Sequence, residues 1–266
     1  MVIKYFNLVH ILTILSTILL MLLFYFLLRN KKDKTKKMVV FVILLINIFQ
    51  PLFKFVVWPQ YYGTGFNELN TACNMCALLI IVSPFVFISK SSVLKDFIFY
   101  IGTTAGLIAV SVPYWFIGES IISFEYLRFY VCHTLLFIGS ILPVLLGLHK
   151  LSLNNVYKIG FICLIALLLV LLNGLVFSFI NNPTNVNAAL NSFYSKNPVW
   201  ALRPPEGFNG AVKLIELLSP KIFIGDETKT YTPVLWYFIP MYLLITLATL
   251  IVNIIYNIAT KKKGDA

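Results

Sequence analysis

Two short runs carry the residue types that could do nucleophilic chemistry. Asn70-Thr-Ala-Cys-Asn-Met-Cys76 holds two of the chain's four cysteines, and Arg128-Phe-Tyr-Val-Cys-His133 ends on one of its three histidines. A thiol becomes a strong nucleophile when a nearby base takes its proton, so a Cys–His pair is the minimum for an activated thiolate. His133 lies well inside an apolar segment, whereas His10 and His149 sit near segment ends. Cys73 and Cys76 are three apart and share a helical face. That spacing also occurs in redox and metal motifs. Here no second pair and no histidine at ligand spacing accompanies it, so no metal site is expected. The alternative is a packed cysteine and a hydrogen-bonded core histidine. Spacing alone leaves both readings open.

These residues need elements to position them, and composition says which. Of 266 residues 59% are hydrophobic and only 12% charged, and mean hydropathy is +0.88. A soluble domain is nearer half apolar and a quarter charged. The apolar residues form blocks of about 20 or more, the length a helix needs to cross about 30 Å of hydrocarbon. Barrel strands would be shorter and alternating. The chain therefore reads as all-α, a polytopic transmembrane helical bundle forming a single domain over 1–266. Spans are expected at about 7–28, 38–59, 69–89, 95–117, 124–148, 156–180 and 231–257, seven in all. The first block, Phe6 to Leu28, is too long for a signal-peptide core and no small-residue cleavage site follows it.

The net charge of +11 sits between the apolar blocks, which favours topology signals and anionic headgroups over nucleic acid. The run Arg29 to Lys37 holds six basic residues and one acid, and Lys90, Lys95, Lys150, Lys158 and Lys261 to Lys263 mark other odd loops and the tail. Gln60 to Glu68 has no basic residue, and the fourth loop offers only Arg128. By the positive-inside rule the N-terminus is outside and the C-terminus cytoplasmic. Cys76 then lies about 10 Å in from the outer face and His133 about 14 Å, at similar depth. All four cysteines fall within spans, which argues against a secreted disulfide framework.

Polar residues inside spans face the bundle interior or mark a site. Asn47, Gln50 and Lys54 share one face. They either line a cavity, or Lys54 snorkels past Trp58 while Asn47 and Gln50 join helices. Gly102-Thr-Thr-Ala-Gly106 is a small-xxx-small pattern for close helix packing. Residues 181–230 form an extracellular loop that starts with the turn-rich run Asn181 to Asn187. Its Ala211, Leu214, Ile215 and Leu218 make a short amphipathic segment suited to a membrane surface.

Three motifs carry a resemblance. Ala72-Cys-Asn-Met-Cys76 is similar to a Leu-Pro-x-His/Asn/Gln-x-Cys span opening, with Ala72 in place of proline and Asn74 where histidine is common. Tyr100-Ile-Gly-Thr-Thr-Ala-Gly-Leu-Ile-Ala-Val-Ser-Val-Pro113 looks like a Tyr-x-Gly-x-x-x-Gly-x-x-Ala-x-x-x-x-Pro pattern, and His133 follows an Arg-Phe start. Over roughly 38–180 the chain thus resembles the YwaF-like bacterial membrane proteins, whose animal relatives are the transmembrane protein 164 family, related in fold to the androgen-induced gene 1 protein. The resemblance implies a multi-pass membrane lipid acyltransferase or lipid hydrolase with Cys76 as nucleophile and His133 as general base. It also implies a bacterial plasma membrane as the setting. The expected partner is a membrane phospholipid or lysophospholipid, with no cofactor. Oxyanion or cavity-lining candidates are Asn74, Gln50, Lys54, Tyr130 and Asn173, and Tyr130 or Asn173 would orient the histidine. The competing reading is a non-enzymatic transporter or lipid-binding membrane protein, with Pro51, Pro143 and Pro240 breaking helices. The absence of Asp and Glu from the mid-spans argues against a proton-driven transporter.

Overall fold

The computed structural model describes residues 2–57, 59, 67–205, 209–224 and 231–264. The described chain is helical. Its capping residues explain where each helix starts. Asn7 accepts from the His10 amide and opens α1, Leu8–Leu28. Asp33 complements the positive end of α2, Asp33–Val57. Ser91 caps α4, Ser92–Phe97, which runs through a π-turn at Ile98–Gly102 into α5, Thr103–Ser111. Ser123 caps α6, Phe124–Leu145. Then follow α7, Val156–Asn181, α8, Val186–Lys196, α9, Asn209–Leu218, and α10, Leu235–Gly264.

Among the described residues six stretches are long and apolar enough to cross a membrane: Leu8–Leu28, Asp33–Leu52, Ser92–Ser111, Phe124–Leu145, Leu153–Asn181 and Leu235–Lys261. The expected third span is the shorter apolar helix α3, Met75–Ile88, of 14 residues. At 1.5 Å per residue it reaches about 21 Å. The helix starts late because its first expected residues have other work. The side chains of Asn67 and Asn70 close a reciprocal cap over the 3₁₀ turn Glu68–Asn70. Asn74 then caps α3, accepting from the Ala77 amide at 2.9 Å.

The chain packs as two compact units, Met1–Tyr62 with Leu79–Leu151, and Gly63–Leu78 with Ser152–Ala266. In the first unit α6 is the central helix, packing against α1, α2 and α5. Its seam with α2 is mostly apolar, built on Leu44, Phe137, Ile138 and Leu142, with one buried polar contact from Asn47. Its seam with α1 is polar. Tyr126 donates to Thr13 at 3.1 Å, Tyr130 and Ser16 hydroxyls lie 2.8 Å apart, and Thr17 and Thr134 lie 3.0 Å apart. The α6 members are spaced by four and so share a face. The glycine pattern is used as its spacing suggests. A Cβ on Gly106 would lie 2.7 Å from the His133 carbonyl oxygen, and one on Gly102 2.3 Å from Ser140 Oγ.

In the second unit α7 packs on α10, and Gly160 leaves room for Tyr242, whose ring a Cβ would approach at 2.7 Å. The expected extracellular loop holds two helices. The shorter-range reading as a turn-rich start missed α8, which Asn185 caps by accepting from Ala188 N at 2.9 Å. Lys196 at its end pairs with Glu68 at 2.5 Å. The amphipathic segment is α9, with Ile215 buried and Leu214 exposed. Ser219 donates to the Trp236 carbonyl at 2.5 Å, and the fully buried Trp236 donates to Ala201 at 3.1 Å. Tyr231 donates to Glu216. Burial first and the Glu216 carboxylate second push its phenol up to about 12, so it stays a donor across the physiological range.

The glycines in the α6 seams make a discriminating test. Gly106→Ala drives its methyl into backbone of α6, whereas Gly139→Ala meets only the flexible end of Leu44. Gly106→Ala should cost about 1–3 kcal/mol, the usual range for overpacking, and Gly139→Ala less. Thermal unfolding of both variants in detergent checks this order. Equal melting points would mean that α5 and α6 are not in close contact there.

Candidate active site

His133 sits in the middle of α6 and is buried at 8% exposure. Its Nδ1 lies 2.7 Å from the Phe129 carbonyl oxygen one turn earlier. A carbonyl only accepts, so Nδ1 carries the proton and the neutral ring keeps its lone pair on Nε2. The Phe129 ring packs on the imidazole at 4.3 Å between centroids. Backbone and aromatic neighbour thus fix both tautomer and ring plane, as a general base requires. No described residue hydrogen-bonds Nε2. The orienting group is Phe129, and the hydroxyl of Tyr130 is instead turned to Ser16 of α1.

Cys132 is the neighbour that pattern reading passed over. Its Sγ donates to the same Phe129 carbonyl at 3.2 Å and lies 3.3 Å from His133 Nδ1. It therefore faces the nitrogen that already holds a proton. Gln50 and Asn47 belong to a short polar chain. Gln50 Nε2 reaches Asn47 Oδ1 at 3.4 Å, and Asn47 donates to the Cys132 carbonyl at 3.0 Å. Lys54 continues α2, and its side chain lies outside the described residues, as does Trp58.

Cys76 is the second residue of α3 and is partly exposed. It lies in the first turn of the helix, where backbone amides have no intrahelical acceptor. Asn74 supplies the cap and places its Nδ2 3.7 Å from Cys73 Sγ. All four cysteines are thiols rather than disulfides. Asn173 lies in α7 with a buried Nδ2 that has no hydrogen-bond partner among the described residues. An orphaned buried donor costs about 1–3 kcal/mol, so this amide is available to a ligand. Its neighbour Gly174 approaches Pro198 and Glu68, within the same unit as Cys76. His133 belongs to the other unit.

Sequence reasoning also passed over the pair Asp96–His149. Asp96, fully buried in the last turn of α4, lies 2.5 Å from His149 Nε2. A carboxylate next to Lys95 at a span end reads as a solvated loop residue, and only the fold turns it inward.

Helices of this length and apolarity, with polar side chains paired between them, define a multi-pass α-helical membrane protein. The chain matches the TMEM164 family over residues 5–256, nearly its whole length, and belongs to that family. The match extends well beyond the stretch from α2 to α7 that carries the three motifs. No curated protein and no solved structure matches the chain.

The tautomer assignment has a direct readout. In protein labelled with ¹⁵N-histidine, His133 should show a protonated Nδ1 and an unprotonated Nε2 at neutral pH. The opposite pattern, assigned through His133→Gln, would remove Nε2 as the basic nitrogen.

Proposed function

We propose that this protein is a membrane-embedded lipid acyltransferase or acyl hydrolase that works through an acyl-thioester on Cys76, with His133 as general base. The observation that carries the reading is the preset tautomer of His133, whose Nε2 has no hydrogen-bond partner among the described residues. The motif resemblance at Cys76 and His133 implies the same pair, in a chain that belongs to the TMEM164 family.

In the proposed cycle Nε2 takes the Cys76 proton and the thiolate attacks the ester carbonyl of a phospholipid. The tetrahedral intermediate collapses, the carbon–oxygen ester bond breaks, and the leaving lysophospholipid oxygen receives the proton from His133. A second hydroxyl, from a lysophospholipid or from water, then gives its proton to Nε2 and attacks the thioester. The new ester or free acid leaves and the thiol is restored. Two easier steps replace one hard step. Asn173, with its unpaired Nδ2, is the donor we assign to the oxyanion. Asn74 serves instead by capping α3 beneath the thiol. The setting is a bacterial plasma membrane with the lysine-rich first loop cytoplasmic, as the positive-inside rule directs.

The test is covalent labelling of the purified protein by an acyl-chain chloroacetamide. Wild type, Cys73→Ala and Cys132→Ser should label strongly, and Cys76→Ala not at all. His133→Ala should label about 100-fold more slowly, the lower bound for loss of a general base. Equal, weak labelling of every variant would make Cys76 a packing residue and favour the transport or lipid-binding reading.

A further inference from the structure

The first unit contains a cavity of about 440 Å³ that the proposed chemistry does not use. It lies at the lysine-rich end of α6, between the start of α2, the end of α3 and the π-turn. Its wall is apolar, formed by Phe41, Leu44, Val86, Phe99 and Val144, and Lys37 and Lys95 stand among its lining residues. The volume lies within the roughly 300–1,000 Å³ of small-molecule sites.

Three features separate this cavity from a packing defect. First, neither the Lys37 nor the Lys95 ammonium makes an ion pair or hydrogen bond with any described residue, whereas that of neighbouring Lys36 pairs with Asp33 at 3.5 Å. Second, the nearby carboxylate of Asp96 is engaged by His149, itself a lining residue, and not by either lysine. Third, Ser140 lines the cavity, is 1% exposed, and its Oγ has no hydrogen-bond partner among the described residues. Ser83, the other serine in the wall, spends its hydroxyl on the Leu79 carbonyl at 2.5 Å. A buried hydroxyl left unmatched and two unpaired ammonium groups at the edge of an apolar hole together describe a ligand with three parts. It has an anionic head, an ester or similar acceptor, and a hydrocarbon chain.

We propose that this cavity binds one anionic phospholipid, with its phosphate at Lys37 and Lys95, an ester oxygen accepting from Ser140, and an acyl chain along the apolar wall. Tails are as apolar in the bilayer as in the cavity, so the chain adds fit and not selectivity. Discrimination rests on charge and on Ser140. Neither Cys76 nor His133 lines the cavity, and the proposal stands whether or not the thiol is catalytic.

The experiment equilibrates the full chain, in neutral detergent, with phosphatidylglycerol, phosphatidylcholine or inorganic phosphate, and measures retained lipid by native mass spectrometry. Phosphatidylglycerol should be retained at least tenfold more tightly than phosphatidylcholine. The pair Lys37→Gln/Lys95→Gln should weaken it about 25-fold, about fivefold per lysine near a charged headgroup. The equal-charge control Lys31→Gln/Lys34→Gln, outside the cavity, should leave it unchanged. Ser140→Ala should weaken retention while leaving the melting temperature of lipid-free protein equal or higher, because it removes an unsatisfied polar group. Equal losses in the two double variants would reduce the effect to surface attraction and overturn the proposal. Inorganic phosphate displacing the lipid as effectively as phosphatidylglycerol itself would overturn it as well, in favour of a free-anion site.

Discussion

The polar seam along α6 is the constraint on which the first unit depends. Hydrocarbon offers no water to satisfy a hydroxyl or an amide, so each must find its partner inside the chain. Tyr126, Tyr130 and Thr134 meet Thr13, Ser16 and Thr17 of α1, and Asn47 of α2 meets the Cys132 carbonyl. Such bonds between membrane helices are worth only about 0.6 kcal/mol each. Their larger effect is on register: a slip of one helix along another would strand several polar groups at once.

Register then decides what α6 can present. With its rotation set by α1 and α2, and with α5 brought to backbone distance by Gly106, the helix holds His133 at a defined depth. The helix's own carbonyl sets the tautomer. The same rotation turns Ser140, two turns further along, into the cavity at the lysine-rich end. One helix thus supplies both the proposed base and the proposed lipid-binding hydroxyl. In the second unit, α8 and α9 are fastened by polar contacts at their ends, Lys196 to Glu68 and Ser219 to Trp236.

Much of the helical architecture was legible because hydrocarbon imposes length and apolarity together. Leu8–Leu28 and Phe124–Leu145 each fall within a few residues of the expected span. The third span is the exception, since hydropathy does not register that Asn70 and Asn74 are used in caps. The glycine pattern in α5 was readable as close packing because only a missing Cβ permits that approach. His133 and Cys76 were visible as residue types. The role of Phe129 was not, because a backbone carbonyl has no signature in a sequence. The inward turn of Asp96 onto His149 was hidden for a related reason: pairing across 53 positions leaves no local pattern. The helix α8 was missed because a polar, asparagine-rich run resembles a loop until its partner α7 is known.

The central claim is that Cys76 carries an acyl group during turnover. The most direct measurement is the intact mass of protein quenched in acid shortly after mixing with a phospholipid of one defined acyl chain. The account predicts a mass increase of one acyl group, mapped to Cys76, released by neutral hydroxylamine and absent from Cys76→Ala. An adduct that persists in Cys76→Ala, or catalytic acyl release by wild type and Cys76→Ala at the same rate, would contradict it.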